Sequence, residues 1–296
     1  MLSLRYSAYE ATCTLSSWCK SRKSLRYSIV NIEATRTSSA WRNRQQRRAV
    51  CKRVGVSPMD LNKVKSIANS FLHLEMEQNK EFPIFVHHPF FDSIMICDKE
   101  GIFNVLEEPE RYDRFLSDYN NMFIKKADSL TEITRLIRNN YKVCFLRFLY
   151  ESNAITLKEC GNELALWWSF VNVNHDVNVS KTAVMKWLKA ADKESLMDNE
   201  DYIVYNNLPD KVTVYRGVQD KNHAKGFNWS LSKEVATRFA TDIAYKKEGF
   251  VCETTVDKKD IIAYTDQRNE KEIILDYKKL DNIKFMKVKS SREIER

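Results

Sequence analysis

Two carboxylates spaced i, i+2, Glu270 and Glu272, stand directly before an apolar run, Ile273-Ile274-Leu275. Earlier in the chain come a Ser-x-Ser, Trp229-Ser230-Leu231-Ser232, and an arginine within a β-favouring run, Val214-Tyr215-Arg216-Gly217. Together they supply an acid pair, two hydroxyls and a planar cation. A guanidinium holds phosphate oxygens through paired, charge-assisted hydrogen bonds. A carboxylate beside an anomeric carbon stabilises the oxocarbenium-like centre that forms as a glycosidic bond breaks, and a second carboxylate serves as proton acceptor. In an extended strand, residues 270 and 272 share one face while Lys271 points to the other; both carboxylates are therefore expected at the entrance of a buried strand. Gly217 predicts a close approach to the backbone, here by a ligand. Each piece also has a plainer reading: a surface arginine at a strand end, Ser232 as a helix N-cap, a solvated charge run.

The elements that must position these residues change character along the chain. Residues 1–53 are Ser/Arg-rich, carry about 12 Lys/Arg against about 2 Asp/Glu, and lack the apolar content to offset ordering entropy, so they read as a basic, disordered arm. Residues 54–200 read as mostly helical. Apolar stripes at helical spacing predict a helix over 59–78, others through Leu130–Ile137 and Val143–Tyr150, one carrying Leu164, Trp167, Trp168 and Val171, and one capped by Ser180. Within this region 82–87 and 93–97 read as strands, and Asp98-Lys99-Glu100-Gly101 turns the second of them into a hairpin near 93–106. The pair Trp167-Trp168 reads as core packing rather than a stacking platform, and His87-His88-Pro89 as a strand-end turn rather than a metal site. Residues 201–296 read as β-rich, with strands at 212–218, 249–256, 260–264 and 272–276 and a helix from 233 to about 245.

The order Arg, Ser-x-Ser, Glu-x-Glu resembles the arginine–serine–glutamate class of mono-ADP-ribosyltransferases. The approach Asn207-Leu208-Pro209-Asp210 and the helix Val235-Ala236-Thr237-Arg238-Phe239-Ala240 are similar as well, so the likeness covers about a quarter of the chain. The segment 145–197 more loosely resembles the helical lead-in of phage and bacterial proteins ending in such a domain, and Asn43-Arg44-Gln45-Gln46-Arg47-Arg48-Ala49 resembles a stretch that opens some bacteriophage proteins. The chain departs from the family's Ser-Thr-Ser by carrying Leu231, and Asp266-Gln267-Arg268-Asn269, which the resemblance makes the substrate-recognition turn, lacks the aromatic many relatives have there. The resemblance implies an α+β fold of packed β-sheets preceded by a helical region, with NAD as co-substrate and no metal. Arg216, Gly217 and Ser232 would hold NAD. Ser230 would orient the ribose and the catalytic glutamate, Glu272 would stabilise the cation, and Glu270 would activate the acceptor, most directly a protein arginine. A toxin-like, phage-encoded role inside a bacterial cell is the implied setting.

Composition leaves alternatives open. The net charge of +8 resides in the arm, so whole-chain basicity argues nothing about nucleic acid, although the arm itself would attract a nucleic-acid acceptor. Water as acceptor would make the same site an NAD glycohydrolase. A non-enzymatic nucleic-acid or partner-binding protein with a vestigial site belongs to a different class. Seven irregularly spaced cysteines without a Cys-x-x-Cys exclude a zinc ribbon and suit a reducing cytosol. No apolar run reaches the ~20 residues a membrane span needs.

Overall fold

In the computed structural model, residues 59–171, 179–241 and 248–289 are described; the basic arm 1–53 lies outside them. The chain is a mixture of helices and one principal sheet, an α+β arrangement. Helix α1 (Leu61–Leu72) is capped by Asp60, whose side chain accepts from Lys63 N at 3.0 Å. It begins later than the apolar stripe predicts, at the Asp60 cap, and ends earlier, at Leu72, with Gln78 already paired in a two-residue strand. Strands β1 (Glu77–Gln78) and β2 (Val86–His87) pair antiparallel, as do β3 (Met95–Asp98) and β4 (Gly101–Asn104), the expected hairpin. His88 is fully buried in the turn after β2, with Nδ1 accepting from Phe90 N and Phe91 N, and desolvation lowers its pKa to about 4.

Helices α2 (Pro109–Tyr119), α3 (Leu130–Leu136), α4 (Asn139–Glu151), α5 (Leu157–Trp167), α6 (Lys181–Ala190), α7 (Lys193–Leu196) and α8 (Asn199–Asn206) follow. Ser180 caps α6 as expected, accepting from Ala183 N. Helix α5 opens with a reciprocal capping box between Thr156 and Glu159, a device worth about 1 kcal/mol, and passes into a single 3₁₀ turn, Trp168–Phe170.

A buried polar cluster ties α3, α4 and α5. Glu163 accepts from Thr131 Oγ1 at 2.9 Å, from Thr134 Oγ1, and from Trp167 Nε1 at 2.8 Å. Lys142, 2% exposed, donates to the carbonyls of Thr134 and Ile137 and lies 3.7 Å from the Trp167 ring centroid. Desolvation pulls its ammonium from 10.5 down to about 8, against the raising influence of Glu163. Since the folded state binds fewer protons than the unfolded state between these values, raising the pH across that window stabilises the native chain. Chemical denaturation of wild type beside Lys142→Met is expected to show the wild type gaining ~1–3 kcal/mol relative to the variant between pH 8 and 10.5.

The principal sheet has six strands in the order β10-β7-β5-β6-β9-β8: β5 (Lys211–Val218), β6 (Asn228–Ser230), β7 (Glu248–Asp257), β8 (Ile261–Thr265), β9 (Glu272–Leu275) and β10 (Lys284–Lys289). All neighbours are antiparallel. The expectation of separate packed sheets becomes one sheet of two halves: β10-β7-β5 joins β6-β9-β8 through the single residue pair Tyr215–Ser230. One apolar cluster unites the halves, with Val212, Val214 and Cys252 from the first and Trp229, Ile273 and Leu275 from the second. A second joins Phe227, Ala263 and Ile274 to the helical core of Phe145, Leu164, Trp168 and Trp187. Through these contacts the helical region holds β8, β9 and the residue leading into β6 in place.

Helix α9 (Lys233–Ala240) lies against β5. Ser232 caps it, accepting from Val235 N at 3.2 Å. A Cβ at position 217 would fall 2.0 Å from Ala236 O and 2.5 Å from Ala240 N. The close approach at Gly217 is therefore that of a helix backbone, which corrects the expectation of a ligand there. Gly217→Ala must push α9 off the sheet and is expected to cost at least the ~1–3 kcal/mol of an overpacked core, read as a lowered Tm.

Candidate active site

Past the pair Tyr215–Ser230 the Arg216 side chain, rather than backbone, meets β6. Its Nη1 donates to Asn228 O at 2.5 Å and its Nε to His223 O at 3.3 Å. Gly226 makes this possible: a Cβ there would lie 2.6 Å from the Arg216 Cζ. Burial lowers the guanidinium's pKa, while Cys252 and Glu272 act to raise it. Arg216 thus fastens the loop between β5 and β6 and lies close enough to Glu272 to feel its charge. For phosphate it offers only the donors not directed to these two carbonyls.

Ser230 and Glu272 face each other across β6 and β9, and Thr265 of β8 pairs with Glu272 from the other side. Ser230 Oγ donates to Glu270 O at 2.6 Å and accepts from Ser232 N at 2.9 Å. Its hydroxyl hydrogen is committed to the Glu270 main chain, so Ser230 fixes the glutamate segment directly. Ser232 is spent otherwise. Besides capping α9, its Oγ donates to Glu234 Oε2 at 2.8 Å, which gives it a structural task in place of the expected NAD contact.

Glu272 is 5% exposed. Trp168 Nε1 donates to its Oε1 at 2.9 Å and Asn228 Nδ2 donates to the same oxygen. Arg268 Nη2 lies 3.4 Å from Oε2 and 2.9 Å from Glu270 Oε2. Desolvation pushes the Glu270 pKa above its ordinary value, with the Glu272 charge adding to the rise and Arg268 opposing it. The two carboxylates converge, but not through strand alternation. Lys271 has φ 45° and Asn269 φ 55°, so the chain turns through left-handed backbone before β9 begins at Glu272. Such conformations are costly for residues other than glycine. Here Asp266 holds the turn, its Oδ1 accepting from Lys271 N at 2.8 Å, while Leu231 N donates to Lys271 O at 3.0 Å.

Of the six residues singled out by sequence, Arg216, Ser230, Glu270 and Glu272 come together where β5, β6 and β9 adjoin. Gly217 and Ser232 serve α9 instead. Three more residues join the site: Asn228 and Trp168, to which sequence assigns no part in it, and Arg268 of the expected substrate-recognition turn. Asn228 and Trp168 orient Glu272, and Arg268 spans both carboxylates. Trp168 is buried among core residues as expected, yet its indole N–H also serves the site. Successive helical positions diverge by about 100°, which is why Trp167 turns to Glu163 and Trp168 to Glu272.

An isolated buried carboxylate is expensive, and this one is accompanied by two neutral donors and a nearby guanidinium. The arrangement can hold negative charge beside a developing cation on one oxygen while the other stays anchored. Comparison of the chain with family models, with curated proteins and with solved structures gives no match in any of the three.

Proposed function

We propose that the chain is an NAD-dependent mono-ADP-ribosyltransferase that acts within a cell's cytoplasm, with protein arginine as its acceptor. The observation that carries this reading is Glu272, buried on β9, anchored at Oε1 by Trp168 and Asn228, with Glu270, Ser230 and Arg216 gathered around it. In the proposed reaction Glu272 Oε2 accepts a hydrogen bond from a ribose hydroxyl and its charge stabilises the oxocarbenium-like centre. The bond between the ribose carbon and nicotinamide breaks with its electron pair leaving on nicotinamide. An acceptor guanidinium nitrogen forms the new bond to that carbon, and Glu270 takes the proton it releases. A carboxylate pKa raised by burial suits a base that works nearer neutrality. Arg216 contributes through the loop it fastens and through its remaining donors, which face phosphate in this reading. Among the described residues no helix is long and apolar enough to cross a membrane.

NAD labelled in its adenine ring, incubated with the full chain and agmatine (a small guanidino acceptor), tests the acceptor class. Label is expected on agmatine in step with nicotinamide release. Release without incorporation moves the reading to NAD hydrolysis. Incorporation into added RNA, abolished by removing residues 1–53, moves it to a nucleic-acid acceptor. Absence of release, of incorporation and of NAD binding, together with tight salt-sensitive binding of nucleic acid unchanged in Glu272→Gln, supports a binding protein with a vestigial site.

A further inference from the structure

Both oxygens of Glu272 are already engaged. Oε1 is anchored by Trp168 and Asn228, whereas Oε2, the oxygen left to face a substrate, lies 3.4 Å from Arg268 Nη2. The same nitrogen is 2.9 Å from Glu270 Oε2, and Nη1 donates to Ser169 O at 3.4 Å. A guanidinium belonging to the chain thus lies across the two carboxylates, with a main-chain acceptor on its other side. The turn that carries it is fixed rather than loose: Asp266 N donates to Asp201 Oδ1 at 3.0 Å, Asn269 N to Asp266 O at 2.9 Å, and Ser169 Oγ to Gln267 Oε1 at 3.0 Å. The Arg268 side chain itself remains 44% exposed, so it can swing outward without unpacking a core.

We propose that Glu270, Glu272 and the Ser169 carbonyl form a guanidinium-binding subsite whose resident occupant is Arg268, so that a guanidinium ligand binds by displacing it. What displacement achieves rests on the transferase reading: it frees Glu272 Oε2 and delivers an acceptor nitrogen to Glu270. The binding itself does not depend on that reading. The chemistry selects a guanidinium over an ammonium, because a planar fork can satisfy two carboxylate oxygens and a carbonyl at once, which a point charge on a flexible stem does less well. An internal competitor reduces the apparent affinity for the external ligand by the fraction of molecules in which the subsite is vacant. Contacts of 2.9 and 3.4 Å made by a part-exposed side chain place that reduction on the order of tenfold.

The test is calorimetric titration of agmatine into the full chain without NAD, for wild type, Arg268→Ala and Arg268→Lys, with circular dichroism confirming that each is folded. Arg268→Ala is expected to bind agmatine about tenfold more tightly than wild type, with Arg268→Lys between them. Equal or weaker binding by Arg268→Ala overturns the proposal. Nicotinamide release from NAD, measured on the same three proteins, separates the two readings. Tighter agmatine binding with no NAD cleavage by any of them upholds the subsite and sinks the transferase; NAD cleavage with unchanged agmatine affinity does the reverse.

Discussion

Glu272→Gln is expected to lower nicotinamide release by ~10²–10³, the scale seen when one preorganised electrostatic contact to a transition state is lost, and to leave the fold intact. The glutamine oxygen can still accept from Trp168 and Asn228, and the side-chain volume is unchanged, so thermal melting of the variant is expected to stay near that of wild type. What disappears is the negative charge beside the sugar carbon. The neighbouring carboxylate gives a separable signature. Because burial and the Glu272 charge raise the Glu270 pKa, transfer to agmatine is expected to decline as pH falls through a value above the ordinary carboxylate range. Glu270→Gln is expected to abolish that limb and most of the transfer while nicotinamide release to water persists. If Glu272→Gln cleaves NAD as fast as wild type, the role assigned to Glu272 is wrong.

Trp168→Phe is expected to lower kcat/KM by ~10–100-fold, since a small misplacement of a catalytic group carries penalties of that order. Phenylalanine keeps an aromatic ring in the core beside Phe227 but removes the N–H that holds Glu272 Oε1. Asn228 then anchors that oxygen alone, and the carboxylate gains rotational freedom about its working position. The fitting control is the adjacent residue. Trp167→Phe removes a donor from Glu163 and is expected to cost about 1–3 kcal/mol of stability with kcat/KM unchanged. A steady-state comparison of the two variants distinguishes them, and equal kinetic losses in both would reduce Trp168 to a packing residue.

The contrast between these neighbours shows where sequence reading stops. Helix α5, its apolar stripe and the burial of Trp168 just past its end follow from periodicity, and so do the Ser180 and Ser232 caps and the strands β5, β7, β8 and β9. Local pattern cannot say which tryptophan meets which carboxylate. The partner of Trp168 is 104 residues away, and that of Asn228 is 44 away, so both depend on how the helical region packs against the sheet. Lys271 exposes a different limit. Alternation of an extended chain gave the right outcome, two converging carboxylates, for the wrong reason, because the left-handed turn held by Asp266 delivers Glu270. At Gly217 the sequence signals a close approach, but the visitor is α9 and not the expected ligand. Arg216 illustrates competition for donors. Its run marks a strand arginine, yet only the register with β6 shows two of its N–H groups spent on the carbonyls of His223 and Asn228. Strand β10 carries no alternation strong enough to be read alone; its pairing with β7 defines it.

Nicotinamide release by the purified full chain, with NAD and agmatine both present, tests the central claim most directly. One nicotinamide freed for each NAD consumed, over repeated turnovers and matched by ADP-ribosyl-agmatine, is the result predicted. NAD recovered intact from folded protein, with agmatine saturating and at a pH above the Glu270 limb, would contradict it.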